Sequence, residues 1–81
     1  MDILLYTRRG CHLCELAEDM LAVRRVDVRL VDVDGNAETL ARYDLRVPVL
    51  EIAGRTVLEG RFDERSLTAA LAAAGTVRGQ D

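Results

Sequence analysis

The apolar run Ile3-Leu4-Leu5-Tyr6, closed by Thr7-Arg8-Arg9-Gly10, predicts a buried β-strand. From Leu13 the period changes. Leu13, Leu16, Ala17, Met20 and Leu21 recur at helical spacing, while Glu15, Glu18 and Asp19 take the opposite positions. A helix is therefore predicted, fading near Val23-Arg24-Arg25. Val28, Leu30, Val31 and Val33 predict a second buried strand. Asp34-Gly35-Asn36 predicts a turn, with Asn36 capping a short helix over Ala37 to Asp44 whose Ala37, Leu40 and Ala41 face inward. Val47 to Ile52 predicts a third strand, and Ala53-Gly54 a tight hairpin into an antiparallel strand over Arg55 to Leu58. Asp63 is the candidate N-cap of a last helix, with Leu67, Ala70, Leu71 and Ala74 inward and Gly75 as its stop.

The element order is β-α-β-α-β-β-α, an α/β arrangement. Strand, helix and strand in succession make a right-handed parallel unit, and the hairpin adds an antiparallel pair. A four-stranded mixed sheet of order 2-1-3-4 with helices on both faces satisfies both constraints. Residues 1–75 form one domain in this reading, and 76–81 a flexible tail.

Composition narrows the function. At 81 residues there is room for one domain, and 49% hydrophobic with 31% charged residues suits a packed globule with a solvated surface. The basic residues are all arginine, scattered along the chain, and the net charge is −3. That balance argues against nucleic acid or an anionic membrane as partner. Aromatic residues, at 4%, are too few for a base-stacking platform. The apolar start lacks a basic leader and a cleavage site, and no run approaches a membrane span, so a cytoplasmic location is expected. In that reducing compartment a purely structural disulfide is out of place, and the 2 cysteines call for another explanation.

Cys11-His12-Leu13-Cys14 falls at the junction of the first strand and the first helix. A helix start leaves backbone N–H groups unpaired and carries partial positive charge, so a thiolate at Cys11 is stabilised there. Arg8 and Arg9 add charge just upstream. An unperturbed thiol is only about 3% ionised at pH 7, and lowering its pKa by two units takes about 2.7 kcal/mol. On this basis Cys11 is the candidate nucleophile and Cys14, one helical turn on, the resolving thiol. Zinc normally needs a closed ligand set that two cysteines and one histidine do not supply. Covalent haem attachment needs histidine where Glu15 stands. Two inert core cysteines are the bland alternative. His12 either favours the thiolate or is simply an exposed helix-start residue.

Taken together, Tyr6-Thr7-Arg8-Arg9-Gly10-Cys11-His12-Leu13-Cys14, Arg46-Val47-Pro48 and Gly60-Arg61-Phe62-Asp63-Glu64 resemble the redox motif, the Thr-Val-Pro segment and the Gly-Gly-x-Asp-Asp stretch of glutaredoxins. The likeness covers roughly residues 2 to 75 and is closest to short bacterial glutaredoxin-like proteins with a Cys-His-Leu-Cys-type motif. It implies a thioredoxin-like fold, a cis Val47-Pro48 bond facing the cysteines, and glutathione docked beside that proline. By position it implies that Arg8 stands for the usual lysine upstream of the nucleophile. It further implies that Val47 offers backbone hydrogen bonds and that Asp63 meets the γ-glutamyl end. His12 and Leu13 replace the proline and tyrosine of the Cys-Pro-Tyr-Cys form, and Arg61 replaces a glycine. Arg61 is expected to crowd the groove, and Arg8, Arg46 and the last helix start to attract glutathione's carboxylates, so that glutathione binds, though less well than in a typical relative.

The expected function is a thiol–disulfide oxidoreductase acting on protein or glutathione mixed disulfides. No bound cofactor or metal is expected; glutathione is a candidate co-substrate, and either glutathione or thioredoxin reductase the reductant. A monomer is expected. The rivals are a dimeric [2Fe–2S] cluster carrier, which some glutaredoxins are, and a catalytically idle interaction module of the same fold.

Overall fold

The computed structural model describes residues 2–75. The tail assigned to 76–81 lies outside the described residues. Strand β1 (Ile3–Thr7) leads into helix α1 (His12–Val23) and strand β2 (Arg29–Asp32). A single 3-10 turn (Val33–Gly35) and helix α2 (Ala37–Tyr43) follow, then strands β3 (Val49–Ile52) and β4 (Arg55–Glu59) and helix α3 (Glu64–Ala73). The sheet order is β2-β1-β3-β4, as the sequence pattern predicts. β1 and β2 are parallel; β3 is antiparallel to both β1 and β4, with a register shift at Leu50/Glu51.

Alternation along β1 and β3 divides the core in two. Ile3 and Leu5 with Leu50 and Ile52 point to one face, where Ala17 and Leu21 of α1, Phe62, and Leu67 and Leu71 of α3 close over them. Tyr6 and Val49 point to the other face and meet Val33 and Tyr43, so α2 lies opposite α1 and α3. The rings of Tyr6 and Tyr43 stack with centroids 4.3 Å apart. The Tyr6 hydroxyl donates to Glu51 at 3.3 Å, and burial together with that carboxylate pushes its pKa up to about 12.

Several expectations are corrected at this level. β2 is an exposed edge strand, not a buried one: Leu30 is 51% exposed, and Val33 gains its burial from the 3-10 turn after the strand. In α1, Leu16 is 40% exposed, and the buried stripe runs through Cys14, Ala17 and Leu21. In α2, Ala37 and Ala41 are exposed and Tyr43 is the buried residue. This seven-residue helix buries its last residue against Val33 and Val49 and leaves its first turn outside that core. β3 begins at Val49, one residue after Pro48, which has no N–H to donate to the ladder.

Caps and turns follow the sequence closely. Asn36 Oδ1 accepts from Glu38 N–H (2.8 Å) and Thr39 N–H (3.3 Å) to cap α2. Asp63 caps α3 in a reciprocal box with Ser66. At the hairpin, both Ala53 (φ 53°) and Gly54 (φ 81°) are left-handed, as the mirror-image tight turn requires.

Candidate functional site

Topology gathers the chemistry at one end of the sheet. Tyr6 near the end of β1 pairs with Val49 at the start of β3, and Val49 pairs with Glu59 at the end of β4. The loops carrying Cys11, Val47-Pro48 and Asp63 therefore leave the sheet side by side. Gly10, at φ 74°, turns the chain from β1 into α1 through a backbone shape that a Cβ would strain.

Cys11 is the N-cap of α1, and its Sγ accepts the backbone N–H of Cys14 at 3.2 Å. The Cys11 carbonyl accepts from Glu15 N–H at 3.1 Å. The two cysteines form a disulfide with Cα atoms 5.2 Å apart. Their surroundings differ sharply: Cys11 is half-buried, whereas Cys14 is 0% exposed. An incoming sulfur can reach only Cys11. His12 is exposed at the first position of α1, and Leu13 is half-buried beside it. Beneath the motif the buried Thr7 hydroxyl donates to Glu18 Oε2 at 3.0 Å, tying the end of β1 to α1. A shallow cleft of about 420 Å³ beside the motif is lined by Thr7, Arg8, Arg9, Glu15, Glu18 and Asp32 among others. A cavity of about 460 Å³ between β4 and α3 opens at the hairpin end, far along the sheet from the cysteines.

The Val47–Pro48 peptide bond is cis. Pro48 is buried and its carbonyl accepts from Gly60 N–H at 2.9 Å. The backbone N–H and carbonyl of Val47 make no hydrogen bond among the described residues. Val47 thus presents an unpaired backbone edge at the same end of the sheet as the redox pair. Leu45, two residues earlier, is 93% exposed.

The arginines are placed in a way the sequence does not disclose. Arg8 forms a two-pronged pair with Asp34 (Nε at 3.0 Å, Nη2 at 2.8 Å), and the same Nη2 reaches Asp44 Oδ1 at 2.8 Å. Its Nη1 donates to the Asp44 carbonyl at 3.0 Å. The pairing holds the Asp34 carboxyl below its ordinary range and raises the guanidinium's affinity for its proton. Arg46 donates to Glu59 Oε2 from Nε (2.9 Å) and Nη2 (2.6 Å), with its guanidinium carbon 5.4 Å from the Tyr43 ring centroid. Both cations counted toward glutathione's carboxylates are thus engaged within the protein. Arg9 and Arg61 are exposed, with no ion pair or hydrogen bond among the described residues. Asp63 is exposed at the start of α3, where its carboxylate accepts Ser66 N–H at 2.7 Å, and that bond lowers its pKa. Sequence reasoning missed Asp34, Asp44 and Glu59 as parts of this region. They lie 26, 36 and 13 residues from the arginines they meet, and nothing local marks such pairs.

The profile of the glutaredoxin-like domain family (DUF836) matches residues 2–72. The chain belongs to this glutaredoxin-like family. A crystal structure of the target protein XcR50 from X. campestris is 42% identical and superposes with a TM-score of 0.80, over 89% of this chain and 97% of that one. The solution structure of protein Ne2328 from Nitrosomonas europaea is 28% identical, with a TM-score of 0.70 over 84% of this chain and 87% of that one. A glutaredoxin from Brucella melitensis shares the fold, with a TM-score of 0.70 over 100% of this chain and 92% of that one at 22% identity. No curated protein matches the chain significantly. A glutaredoxin-like domain with a Cys-x-x-Cys pair at a helix start points to redox activity. Among the described residues no helix is long and apolar enough to cross a membrane. No cluster of three or more metal-ligating side chains forms among them either.

Proposed function

We propose that this glutaredoxin-like protein is a dithiol–disulfide oxidoreductase that reduces protein or mixed disulfides through Cys11 and Cys14. The observation that carries the reading is the asymmetry of the pair: an accessible sulfur at the N-cap of α1 and a sealed one a turn below. In the reduced protein the Cys11 thiolate, favoured by the helix start, attacks one sulfur of a substrate disulfide. The substrate S–S bond breaks, one substrate thiolate leaves and takes a proton, and a mixed disulfide joins Cys11 to the other half. Cys14 then loses its proton and attacks Cys11 Sγ, releasing the second substrate thiol. Two electrons pass to the substrate, and the Cys11–Cys14 disulfide seen here is the product. The unpaired backbone of Val47 supports docking of an extended substrate segment by main-chain hydrogen bonds. The reading suits a reducing cytoplasm, where a regenerating thiol source is at hand.

The test is reduction of insulin disulfides and of a glutathionylated peptide, each driven in parallel by glutathione with its reductase and by thioredoxin reductase. Turnover with at least one reductant, abolished in Cys11→Ser, is the expected result. A folded protein with no turnover in any combination would sink the proposal in favour of an idle module.

A further inference from the structure

The sealed Cys14 must give up a proton before it can release a substrate from Cys11, and one carboxylate is placed to act on that step; the inference rests on the oxidoreductase reading above. Cys14 and Glu18 lie four residues apart on α1, which brings their Cβ atoms to about 5–6 Å. Side chains on a helix lean towards its N-terminus, so the Glu18 side chain runs back over the turn that holds Cys14. Its carboxylate is held in place. The Thr7 hydroxyl, 8% exposed at the end of β1, donates to Glu18 Oε2 at 3.0 Å. Thr7 follows Ile3 and Leu5 in the alternation of β1, so it points to the face that α1 covers with Cys14, Ala17 and Leu21. Glu18 is half-buried and has no ion pair among the described residues. The other charges on this side are differently placed. Arg8 is taken up by Asp34 and Asp44, Arg9 and Glu15 are exposed, and Asp32 accepts Asp34 N–H at 3.0 Å. His12 is exposed on the far side of the helix turn from Cys14.

We infer that Glu18, pinned by Thr7, tunes the resolving thiol: its fixed negative charge holds the proton on Cys14 and slows the release of substrate from Cys11. A like charge beside a thiol disfavours the thiolate, and more strongly where water is excluded. The exchange steps keep their chemistry. The Cys11 thiolate attacks a substrate disulfide, one substrate thiolate leaves, and the other half stays bonded to Cys11. Cys14 then loses its proton to solvent and its sulfur attacks Cys11 Sγ. The bond from Cys11 to the substrate breaks, and the second substrate thiolate leaves with that bond's electron pair. Glu18 acts on the second step through Cys14, as a positioning residue. Cys11, about two helical turns away, keeps the ionisation that the helix start gives it. The charge thus fixes the order of events. At neutral pH the reduced protein offers its thiolate at the accessible sulfur, and the mixed disulfide formed there is long-lived.

The experiment follows the reduced protein reacting with a stoichiometric amount of dithiobis(nitrobenzoate), which releases one coloured thiolate at each step. The first release reports attack by Cys11 and the second attack by Cys14. Cys14→Ser, which stops after the first, fixes the assignment. Glu18→Gln removes the charge but keeps an oxygen to accept from the Thr7 hydroxyl. It should lower the midpoint of the second phase's pH profile by about one unit. At neutral pH that phase should run about threefold faster, because the gain in thiolate is partly offset by its weaker nucleophilicity. The first phase should stay within about twofold. Glu15→Gln, an equal change of charge next to Cys14 but on the exposed side of α1, should leave both phases within about twofold. Thr7→Val keeps the charge but unpins the carboxylate, and should speed the second phase less than Glu18→Gln does. A second phase that is unchanged or slower in Glu18→Gln would overturn the inference while leaving the oxidoreductase reading intact. So would an equal gain in Glu15→Gln, or a Thr7→Val variant as fast as Glu18→Gln, which would trace the rate to a loosened contact between β1 and α1. A reduced, folded protein that releases no coloured thiolate at all would overturn both.

Discussion

Cys11 and Cys14 are separated by one turn of α1, and that turn places one sulfur at a helix mouth and the other in the core. The half-buried Cys11 sulfur accepts a backbone N–H at 3.2 Å, a bond that favours its anionic form. The buried one is desolvated, which disfavours ionisation. Alkylation followed against pH in the reduced protein should show Cys11 reacting at lower pH than Cys14. Comparison of Cys11→Ser with Cys14→Ser assigns the two phases, and a faster Cys14 at neutral pH would reverse the roles. Cys14→Ser exposed to oxidised glutathione should hold a single adduct on Cys11 by mass spectrometry, since no second thiol is left to release it. The cysteine pair was legible as a redox motif from its spacing and its place at a strand–helix junction, and Asp63 as a helix cap; the lone proline and Asp63 joined the candidate site only through the likeness to glutaredoxins. The partners of Arg8 and Arg46 were not legible, because an arginine side chain takes its partner from tertiary proximity.

At the scale of elements, the hairpin between β3 and β4 contains a local conflict. Ala53 is held at φ 53°, in the left-handed region that a Cβ disfavours by about 1–2 kcal/mol. Asparagine adopts this shape more readily and is the preferred first residue of such a turn. Ala53→Asn should stabilise the protein by roughly 0.5–1 kcal/mol, raising the melting temperature by about 2–8 °C. A melting temperature that falls would show that asparagine is no better accommodated there than alanine. The strand and helix types were readable because their periods differ. The burial of β2 was not, since Val28, Leu30, Val31 and Val33 are apolar enough for a central strand. Only the sheet order makes β2 an edge, with a neighbour on one side and solvent on the other.

For the molecule as a whole, the larger core is built on Leu5 and Leu50, paired across β1 and β3 and both 0% exposed. Leu50→Ala should cost about 3 kcal/mol through lost burial and the cavity left behind. That is a large share of the roughly 4–12 kcal/mol available to a domain of this size, and urea unfolding measures it. A loss under about 1 kcal/mol would mean that the two helices above it collapse into the gap. Acid should also weaken the fold. Asp34, paired with Arg8, and Asp63, bonded to Ser66, both hold their pKa below the ordinary 3.8. A lowered folded-state pKa stabilises above the ordinary value, and that contribution is lost as pH falls below it. Asp34→Asn should therefore be less stable than the parent at pH 7, with the gap between their urea midpoints closing towards pH 2–3. A gap that stays constant with pH would show that the Arg8 pair does not contribute to folding.

The sequence by itself determined the element order, the helix caps at Asn36 and Asp63, the hairpin and the placement of the cysteine pair at a strand–helix junction. These depend on neighbours a few residues apart: hydrophobic period, capping oxygens and turn residues act locally. Only the tertiary structure decided which strand lies at the edge, that Cys14 is sealed while Cys11 is open, and that Arg8 and Arg46 are already bound to carboxylates. Those outcomes depend on which segments the sheet order and helix packing bring into contact. A charge or a thiol acquires its surroundings from residues far along the chain, and no local pattern records them.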